Sequence, residues 1–166
     1  MFDIKLKIND IQVMSIEKDD ISDTYSWFKE EYNYLDENNP YELSESQFYD
    51  RFIEYYLSEC EFFTKVIMGD ELIGIFKGRI EFRNPNKVWI GYLLIGERYR
   101  NKGIGTKVLN SMINYFNIEF GIFNFYTKLK ENDIKSIDFW KKNSFIVSQL
   151  SNKNRLIEDI VLKRTK

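Results

Sequence analysis

The chain contains no histidine, one cysteine and only two prolines among its 166 residues. The single cysteine, Cys60, excludes an internal disulfide framework and suits a reducing compartment. Without histidine, the side chain that most readily serves as a base near neutral pH is missing. No apolar run approaches the roughly 18 residues that a membrane span needs, and no basic segment precedes an apolar core at the N-terminus. We therefore expect no signal peptide, no membrane association and a cytoplasmic protein.

The composition favours one compact domain. Apolar residues make up 43% of the chain, which together with the scarcity of proline and glycine argues against disorder. A chain of 166 residues can bury a proper core, and this one shows no internal repeat, low-complexity segment or linker. We expect a single domain over residues 1–166.

Charge is divided unevenly along the chain, although the net charge is only −2. Residues 17–61 carry 14 acidic and 3 basic side chains, a net of −11, whereas residues 62–166 carry 10 acidic and 19 basic ones, a net of +9. Such a separation bears on ligands more than on fold. The basic part can hold an anion. The acidic part can attract a cation, or it is simply a solvated helical face.

Hydrophobic periodicity predicts a mixed order of strands and helices. Ser44, with Gln47 three residues later, predicts a capping box at the start of the second helix. Asn9-Asp10 and Gly69-Asp70 are typical of tight turns between strands. The predicted strands are 4–8, 11–16, 62–68, 72–82, 88–95, 122–129, 145–149 and 156–162, and the predicted helices are 21–35, 44–58, 104–116 and 133–143.

The most informative segment is 100–106, here called the glycine loop, which joins the strand predicted at 88–95 to the following helix. A helix N-terminus leaves several N–H groups unpaired, and the helix dipole adds roughly half a positive charge there. Gly103 and Gly105 have no Cβ, so an anionic group can approach those amides closely. Four basic side chains add further positive charge around this turn: Arg98, Arg100, Lys102 and Lys107. This chemistry indicates a phosphate or pyrophosphate site.

Two well-known phosphate motifs do not fit the glycine loop. The P-loop, G-x-x-x-x-G-K-[ST], requires a different glycine spacing. The dinucleotide fingerprint requires a third glycine where Val108 stands. A tight turn that binds nothing remains the alternative.

The glycine loop resembles a motif of the GNAT family of N-acetyltransferases, which bind acetyl-CoA. Arg100-x-x-Gly103-x-Gly105 matches its R/Q-x-x-G-x-G/A pattern, and residues 90–100 are similar to the strand and loop before that motif. Residues 132–145 resemble the second motif of the family, N-x-x-A/S-I-x-x-Y-x-K-x-G-F. The two motifs occur in the family's order and spacing and cover residues 88–147 closely.

The resemblance implies a mixed α/β (α+β) fold. Its central twisted, mostly antiparallel sheet has six to seven strands and about four flanking helices, and its fourth and fifth strands are splayed. It also implies direct transfer of an acetyl group from acetyl-CoA to a primary amine, with CoA as product. The backbone of Leu93 and Ile95, with Leu94 between them, would then pair with the pantetheine arm and the thioester oxygen.

Other cofactor contacts carry over from the two motifs. In the second motif, Asn132 or Asp133 would cap a helix and reach the cofactor arm, and Ser136 would face the pantetheine. Trp140 would line the CoA chain or simply fill the core, and Ser144 replaces the usual glycine. The residues that the first motif assigns to the pyrophosphate are Arg100, Asn101, Lys102, Gly103, Ile104, Gly105 and Thr106.

Two customary acid–base positions of the family hold tryptophan here. Trp140 replaces the tyrosine that protonates the departing thiolate, and Trp89 replaces the base glutamate of histone-acetylating relatives. A thiol with a pKa near 8.5 leaves adequately as thiolate, and positioning with backbone oxyanion contacts can supply most of the rate. Glu81 and Tyr126 are the candidate catalytic residues. Glu81 is alternatively a strand-end acid paired with Arg79 or Arg83, Tyr126 is alternatively a core or surface residue, and a water relay to an acid of the first two helices is equally open.

The segment from residue 27 to residue 37 combines aromatic and acidic side chains, and its counterpart often lines the acceptor site in the family. Carboxylates bind ammonium groups, and aromatic faces attract cations. We expect acceptor contacts from Trp27, Glu30, Glu31 and Tyr34. The acceptor is then a small cationic amine, such as an aminoglycoside-like sugar, a polyamine or a basic peptide.

A protein that binds acetyl-CoA without turnover, as a sensor or partner-binding module, is a second interpretation, motivated by the two tryptophans. A nucleic-acid binder is disfavoured because the basic residues concentrate at one turn and the acidic third offsets them. We expect no nucleic-acid partner, no metal site, and a monomer or homodimer.

Overall fold

The computed structural model describes residues 2–33, 44–150 and 159–165. One sheet of eight strands lies among these residues, in the order β1-β2-β3-β4-β5-β6-β8-β7. The strands are β1 (Lys5–Ile8), β2 (Ile11–Ser15), β3 (Glu61–Met68), β4 (Glu71–Glu81), β5 (Lys87–Ile95), β6 (Asn124–Lys130), β7 (Ile146–Leu150) and β8 (Asp159–Thr165). The helices are α1 (Ile21–Asn33), α2 (Glu45–Leu57), α3 (Ile104–Phe120) and α4 (Ile134–Lys142).

The predicted mixed α/β, mostly antiparallel architecture is confirmed, since every strand pair is antiparallel except β5–β6. The sheet has eight described strands instead of the expected six to seven. The difference arises because the short edge strands β1 and β7 both pair into the same sheet. The four predicted helices are present.

Local signals placed most element ends correctly. The Ser44–Gln47 capping box forms at the start of α2, and Gly69 turns between β3 and β4 with φ of 61°. The helix predicted to end at residue 116 continues to Phe120, because it stops only at Gly121 in the left-handed conformation. Residues 34–35 of the first predicted helix and residues 156–158 of the last predicted strand lie outside the described residues.

The sheet separates two cores. On one face α3 and α4 cover residues such as Val66, Phe76 and Phe125. On the other face α1 and α2 cover a smaller cluster that includes Phe63 and Ile75. The two faces of the sheet are therefore buried against different helix pairs.

A bulge at Gly91 reverses the side-chain alternation of β5. Lys77 of β4 pairs with Tyr92 and the next residue, Gly78, pairs with Ile90, so Gly91 has no partner. Ile90 accordingly lies in the α3–α4 core, whereas Tyr92, two residues later, packs on the α1–α2 side. An extra residue in one strand produces such a shift and bends the strand.

β5 and β6 separate beyond this bulge. Their parallel pairing covers only 87–90 with 124–127, and the last pair is Ile90 with Thr127. Beyond that point β5 continues to Ile95 along β4, and β6 continues to Lys130 along β8. The predicted splay is confirmed, and we call the wedge between residues 91–95 and 128–130 the opening and the Ile90–Thr127 pair its vertex.

Candidate active site

The backbone of Leu93 and Ile95 faces the opening. The Gly96 N–H donates to the Ile73 carbonyl at 2.8 Å, so residue 96 is turned toward β4. The Leu94 carbonyl also points to β4, since it lies 2.7 Å from the position of a Cβ added to Gly74. Because hydrogen-bonding direction alternates along an antiparallel strand, residues 93 and 95 present their N–H and C=O groups to the other side. Their amides therefore line the opening without help from a polar side chain.

The glycine loop presents uncapped amides at the start of α3. Gly103 is the N-cap with φ of 75°, and no side chain caps this helix end. A Cβ at Gly103 would meet no atom within 4 Å, so the loop is open on that side. Unpaired amides with a positive dipole behind them favour an anion.

Gly105 has a different role from Gly103. A Cβ added there would lie 3.2 Å from the Phe139 ring, so the missing side chain lets α3 pack closely on α4. The packing concerns the missing side chain only, so the expected contact between the Gly105 amide and a ligand stays a prediction. The half-buried Thr106 and buried Ile104 follow in the first turn.

The cations around the loop are not equivalent. Lys102 Nζ lies 5.6 Å from the centre of the Tyr99 ring, and the Tyr99 hydroxyl donates to Glu71 at 2.6 Å, a hydrogen bond that raises the pKa of Tyr99. Asn101, beside Lys102, is exposed with φ of 59°. The guanidinium of Arg100 is turned inward, onto the Ile95 carbonyl and a carboxylate of α1. Arg100 thus contacts the protein itself, and its expected contact with the pyrophosphate stays a prediction.

The second motif forms α4 as predicted. Asp133 is its N-cap and accepts from the Ser136 N–H at 3.1 Å, while Asn132 is exposed beside it. Trp140 is buried, with its ring centre 4.8 Å from that of Phe145, so it takes the core role. Ser144 adopts φ of 66°, so the turn keeps the conformation of the glycine it replaces.

An aromatic pair stands beside the vertex of the opening. Trp89 of β5 stacks on Tyr126 of β6 with ring centres 5.0 Å apart and 30° between the planes. The ammonium groups of Lys87 and Lys163 lie 5.7 and 5.6 Å from the centre of the Tyr126 ring. Trp89 Nε1 is buried, and no acceptor for it occurs in the described part of the chain.

Glu81 lies farther from the vertex than the sequence suggested. It pairs with Lys87, three residues from Ile90, which is about 10 Å along the strand. Its carboxylate is 3.3 Å from the Arg79 guanidinium. The structure therefore favours the strand-end ion pair over a catalytic base.

Comparison with known families decides the fold family. The acetyltransferase (GNAT) domain matches residues 13–158. The chain belongs to the GNAT family. The acetyl-CoA-binding motifs read from the sequence therefore lie in a true member, in their expected elements.

Two kinds of relative support this assignment. The spermine/spermidine N(1)-acetyltransferase of Bacillus subtilis is 27% identical over 94 residues, which is 52% of this chain and 62% of the relative, so the chain matches less than two thirds of its length. RimL, the ribosomal L7/L12 alpha-N-protein acetyltransferase solved with coenzyme A, has the same fold with a TM-score of 0.84, 12% identity and 98% of each chain covered. A spermidine N-acetyltransferase from Vibrio cholerae, solved with CoA and spermine, gives a TM-score of 0.76 at 12% identity, with 95% of this chain and 96% of that one covered.

The predicted acceptor residues of this GNAT domain are only partly brought together. Trp27 packs half-buried against the α1–α2 core, and Glu30 is exposed on α1. Glu31 is occupied by the segment after β5, where its Oε2 accepts from the Glu97 N–H at 2.9 Å. Tyr34 lies outside the described residues.

Sequence reasoning missed the contact between α1 and the glycine loop. Glu31 and Arg100 are 69 residues apart and form an ion pair of 3.2 Å. Each residue was singled out for a different ligand, and neither motif indicates that they meet. The only hint in the sequence was that α1 is acidic and the glycine loop is basic, so that the two could attract each other.

Among the described residues, no group of histidine, cysteine, aspartate and glutamate is placed to hold a metal ion. In the same ranges no helix has the length and hydropathy required to cross a bilayer.

Proposed function

We propose that this GNAT domain is an acetyl-CoA-dependent N-acetyltransferase that moves an acetyl group directly to a primary amine of a small cationic acceptor. The observation that carries the proposal is the opening between β5 and β6, which presents the amides of Leu93 and Ile95 next to the uncapped start of α3. These features fit an extended thioester with a pyrophosphate at one end. The proposal includes a single domain over residues 1–166.

In this proposal the chain's residues bind and orient acetyl-CoA, and they form no covalent bond to it. When bound, acetyl-CoA supplies a carbonyl carbon open to an amine and a thiol whose pKa near 8.5 lets it leave as thiolate. The Leu93 and Ile95 amides hold the acyl end, where fixed donors stabilise developing negative charge. The first turn of α3, with Asn101, Lys102 and Gly103, holds the pyrophosphate, and Asp133 and Ser136 border the arm. Positioning of this kind lowers the entropy cost of bringing the amine and the thioester together in the reaction step.

The amine must lose a proton, and Tyr126 is the candidate nearest the vertex. It belongs to the β5–β6 pair immediately before Ile90 and Thr127. Its ring lies beside the ammonium groups of Lys87 and Lys163, and its hydroxyl is the group proposed to take the proton. A water relay to an acid of α1 is the alternative route.

The negative charge of the segment that contains α1 and α2 supports a cationic acceptor. Residues 17–61 have a net charge of −11 and include the exposed Glu30. The curated relative that shares 27% identity acts, by its name, on spermine and spermidine. A polyamine is therefore the first acceptor to test, before aminoglycosides and basic peptides.

The experiment follows release of free CoA thiol from acetyl-CoA in the presence of spermidine, spermine, aminoglycosides or basic peptides. Acceptor-dependent release, absent from the Gly103→Glu variant, supports the proposal and names the acceptor class. Intact acetyl-CoA binding with no release from any acceptor instead favours a sensor. That second function has one observation behind it, the tryptophans at both customary acid–base positions, Trp89 and Trp140.

A cytoplasmic location and a monomeric or homodimeric state belong to the same proposal. Cys60 is an exposed free thiol, which suits a reducing compartment. Size-exclusion chromatography with light scattering at two protein concentrations tests the oligomeric state.

A further inference from the structure

A carboxylate of α1 holds the segment that joins β5 to α3. Glu31 Oε2 accepts from the Glu97 N–H at 2.9 Å and from the Arg100 guanidinium at 3.2 Å. The Glu31 side chain is only 15% exposed and that of Arg100 is 30% exposed. The Arg100–Glu31 bond is part-buried, and a charged hydrogen bond shielded from water in this way is stronger than an exposed ion pair.

Arg100 carries the contact on to the end of β5. Its Nε donates to the Ile95 carbonyl at 2.7 Å while its Nη2 contacts Glu31. The planar guanidinium therefore joins α1 to the last residue of the strand that lines the opening. A lysine does not reproduce this geometry, because its ammonium lacks the planar fork in which Nε and Nη2 donate from separate nitrogens.

Gly96 shows how closely α1 approaches this segment. A Cβ added there would lie 3.1 Å from Glu31 Oε1 and 3.4 Å from the Ile73 carbonyl. The Gly96 N–H is already bound to that same carbonyl. The turn after β5 is thus fixed from β4 on one side and from α1 on the other.

We propose that Glu31 is a positioning residue of the acetyl-CoA site and not an acceptor ligand. Through Arg100 it fixes the end of β5, whose amides at Leu93 and Ile95 face the opening, and through Glu97 it fixes the entry to the glycine loop. The Ile95 carbonyl is occupied by Arg100, so residue 95 offers its N–H to the ligand. This inference rests on the proposed function, because it assigns Glu31 to the cofactor half of the same site.

The test measures binding of CoA to the full chain by titration calorimetry, together with the KM values of both substrates. We expect Glu31→Ala and Arg100→Lys each to weaken CoA binding about tenfold, since each removes a charged hydrogen bond that orders the loop. Glu31→Gln keeps an acceptor oxygen and is expected to lose about threefold. Asp23→Ala removes an exposed acid of the same helix and is expected to change CoA binding less than about twofold.

A double variant separates positioning from general damage. Because the two residues share the Glu31–Arg100 contact, Glu31→Ala with Arg100→Lys should weaken CoA binding by clearly less than the product of the two single losses. The acceptor KM at saturating acetyl-CoA should stay within about twofold of wild type in Glu31→Gln.

Unchanged CoA affinity in Glu31→Ala, or a loss confined to the acceptor KM, overturns the inference and returns Glu31 to the acceptor site. If Glu31→Ala does not fold, Glu31→Gln decides by the same two quantities. Wild-type protein that binds no CoA would instead refute the proposed function itself, and the two failures are distinguished by the wild-type titration.

Discussion

Gly103 and Gly121 stand at opposite ends of α3 in the same left-handed backbone conformation, with φ of 75° and 62°. At either position an added Cβ meets no atom within 4 Å. The two differ in electrostatics, because the amide end of a helix is positive and the carbonyl end negative. Substituting each glycine in turn therefore distinguishes the effect of backbone strain, which both positions share, from the effect on an anionic ligand, which only Gly103 can have.

Gly103→Glu is expected to weaken CoA binding more than about tenfold, because a carboxylate would stand where the pyrophosphate is proposed to bind. Gly121→Glu should leave CoA affinity within about twofold. Both should lose about 1 kcal/mol of unfolding free energy, since a side chain is strained at these φ values. Titration calorimetry and urea denaturation provide the two measurements. Equal CoA affinity in the two variants would remove the glycine loop from the site.

Gly78→Ala should destabilise the protein by about 2 kcal/mol or more, because overpacking strains the backbone. The added Cβ would overlap the Phe62 ring and lie 2.5 Å from the Trp89 carbonyl oxygen. Gly91→Ala is the matched control, since its Cβ would come no nearer than 3.4 Å to the Lys77 carbonyl. We expect Gly91→Ala to lower the unfolding free energy, measured by urea denaturation, by less than about 1 kcal/mol. A loss below about 1 kcal/mol in Gly78→Ala as well would mean that β4 and β5 separate enough to admit the methyl group.

Tyr126→Phe should lower kcat about tenfold or more while keeping the stack on Trp89, because general acid–base groups contribute at least that much. Glu81→Gln should change kcat less than about twofold, since Glu81 pairs with Arg79 about 10 Å from the vertex. Steady-state kinetics with saturating acetyl-CoA tests both. The reverse order of effects would make Glu81 the base and Tyr126 a packing residue.

Asp159→Asn should make stability less sensitive to acid. Hydrogen bonds from Lys128 at 2.7 Å and Lys130 at 3.0 Å hold the pKa of Asp159 below its ordinary value of 3.8. A carboxyl with a depressed pKa adds stability above its unfolded pKa and loses it as the pH falls through its folded pKa. The melting temperature of wild type should therefore exceed that of Asp159→Asn at pH 7, and the gap should close below about pH 4.

The control for this pH dependence is Asp3→Asn. Asp3 forms an ion pair with Lys5 that is largely exposed, so its removal should shift the melting temperature little at any pH. A gap between wild type and Asp159→Asn that stays constant down to pH 3 would contradict the assignment.

Local chemistry explains what the sequence could predict. The Ser44–Gln47 capping box and the Asp133 N-cap depend on residues three apart, and both form. The glycine loop was also read from adjacent residues, and nearby residues carry enough information to fix such features. The opening was implied by the resemblance to the GNAT family.

Contacts between distant segments explain what it could not predict. Nothing local indicates that Glu31 reaches Arg100, or that the missing side chain of Gly105 lets α3 pack on Phe139. Trp140 was open between a cofactor wall and the core, and only packing against Phe145 places it in the core. The strand predicted at 145–149 forms as β7, but local residues do not indicate its place at the sheet edge beside β8.

The backbone amides of the splayed β5 are proposed to hold the acyl end of acetyl-CoA, and Leu93 tests this role directly. Leu93→Pro removes an N–H that faces the opening and not the β4 ladder, whereas Leu93→Ala removes only the side chain. The measurement is kcat/KM for acetyl transfer, with circular dichroism as the check on folding. The account predicts a loss of about a hundredfold or more in folded Leu93→Pro and less than about fivefold in Leu93→Ala. Equal activity in the two variants would contradict it.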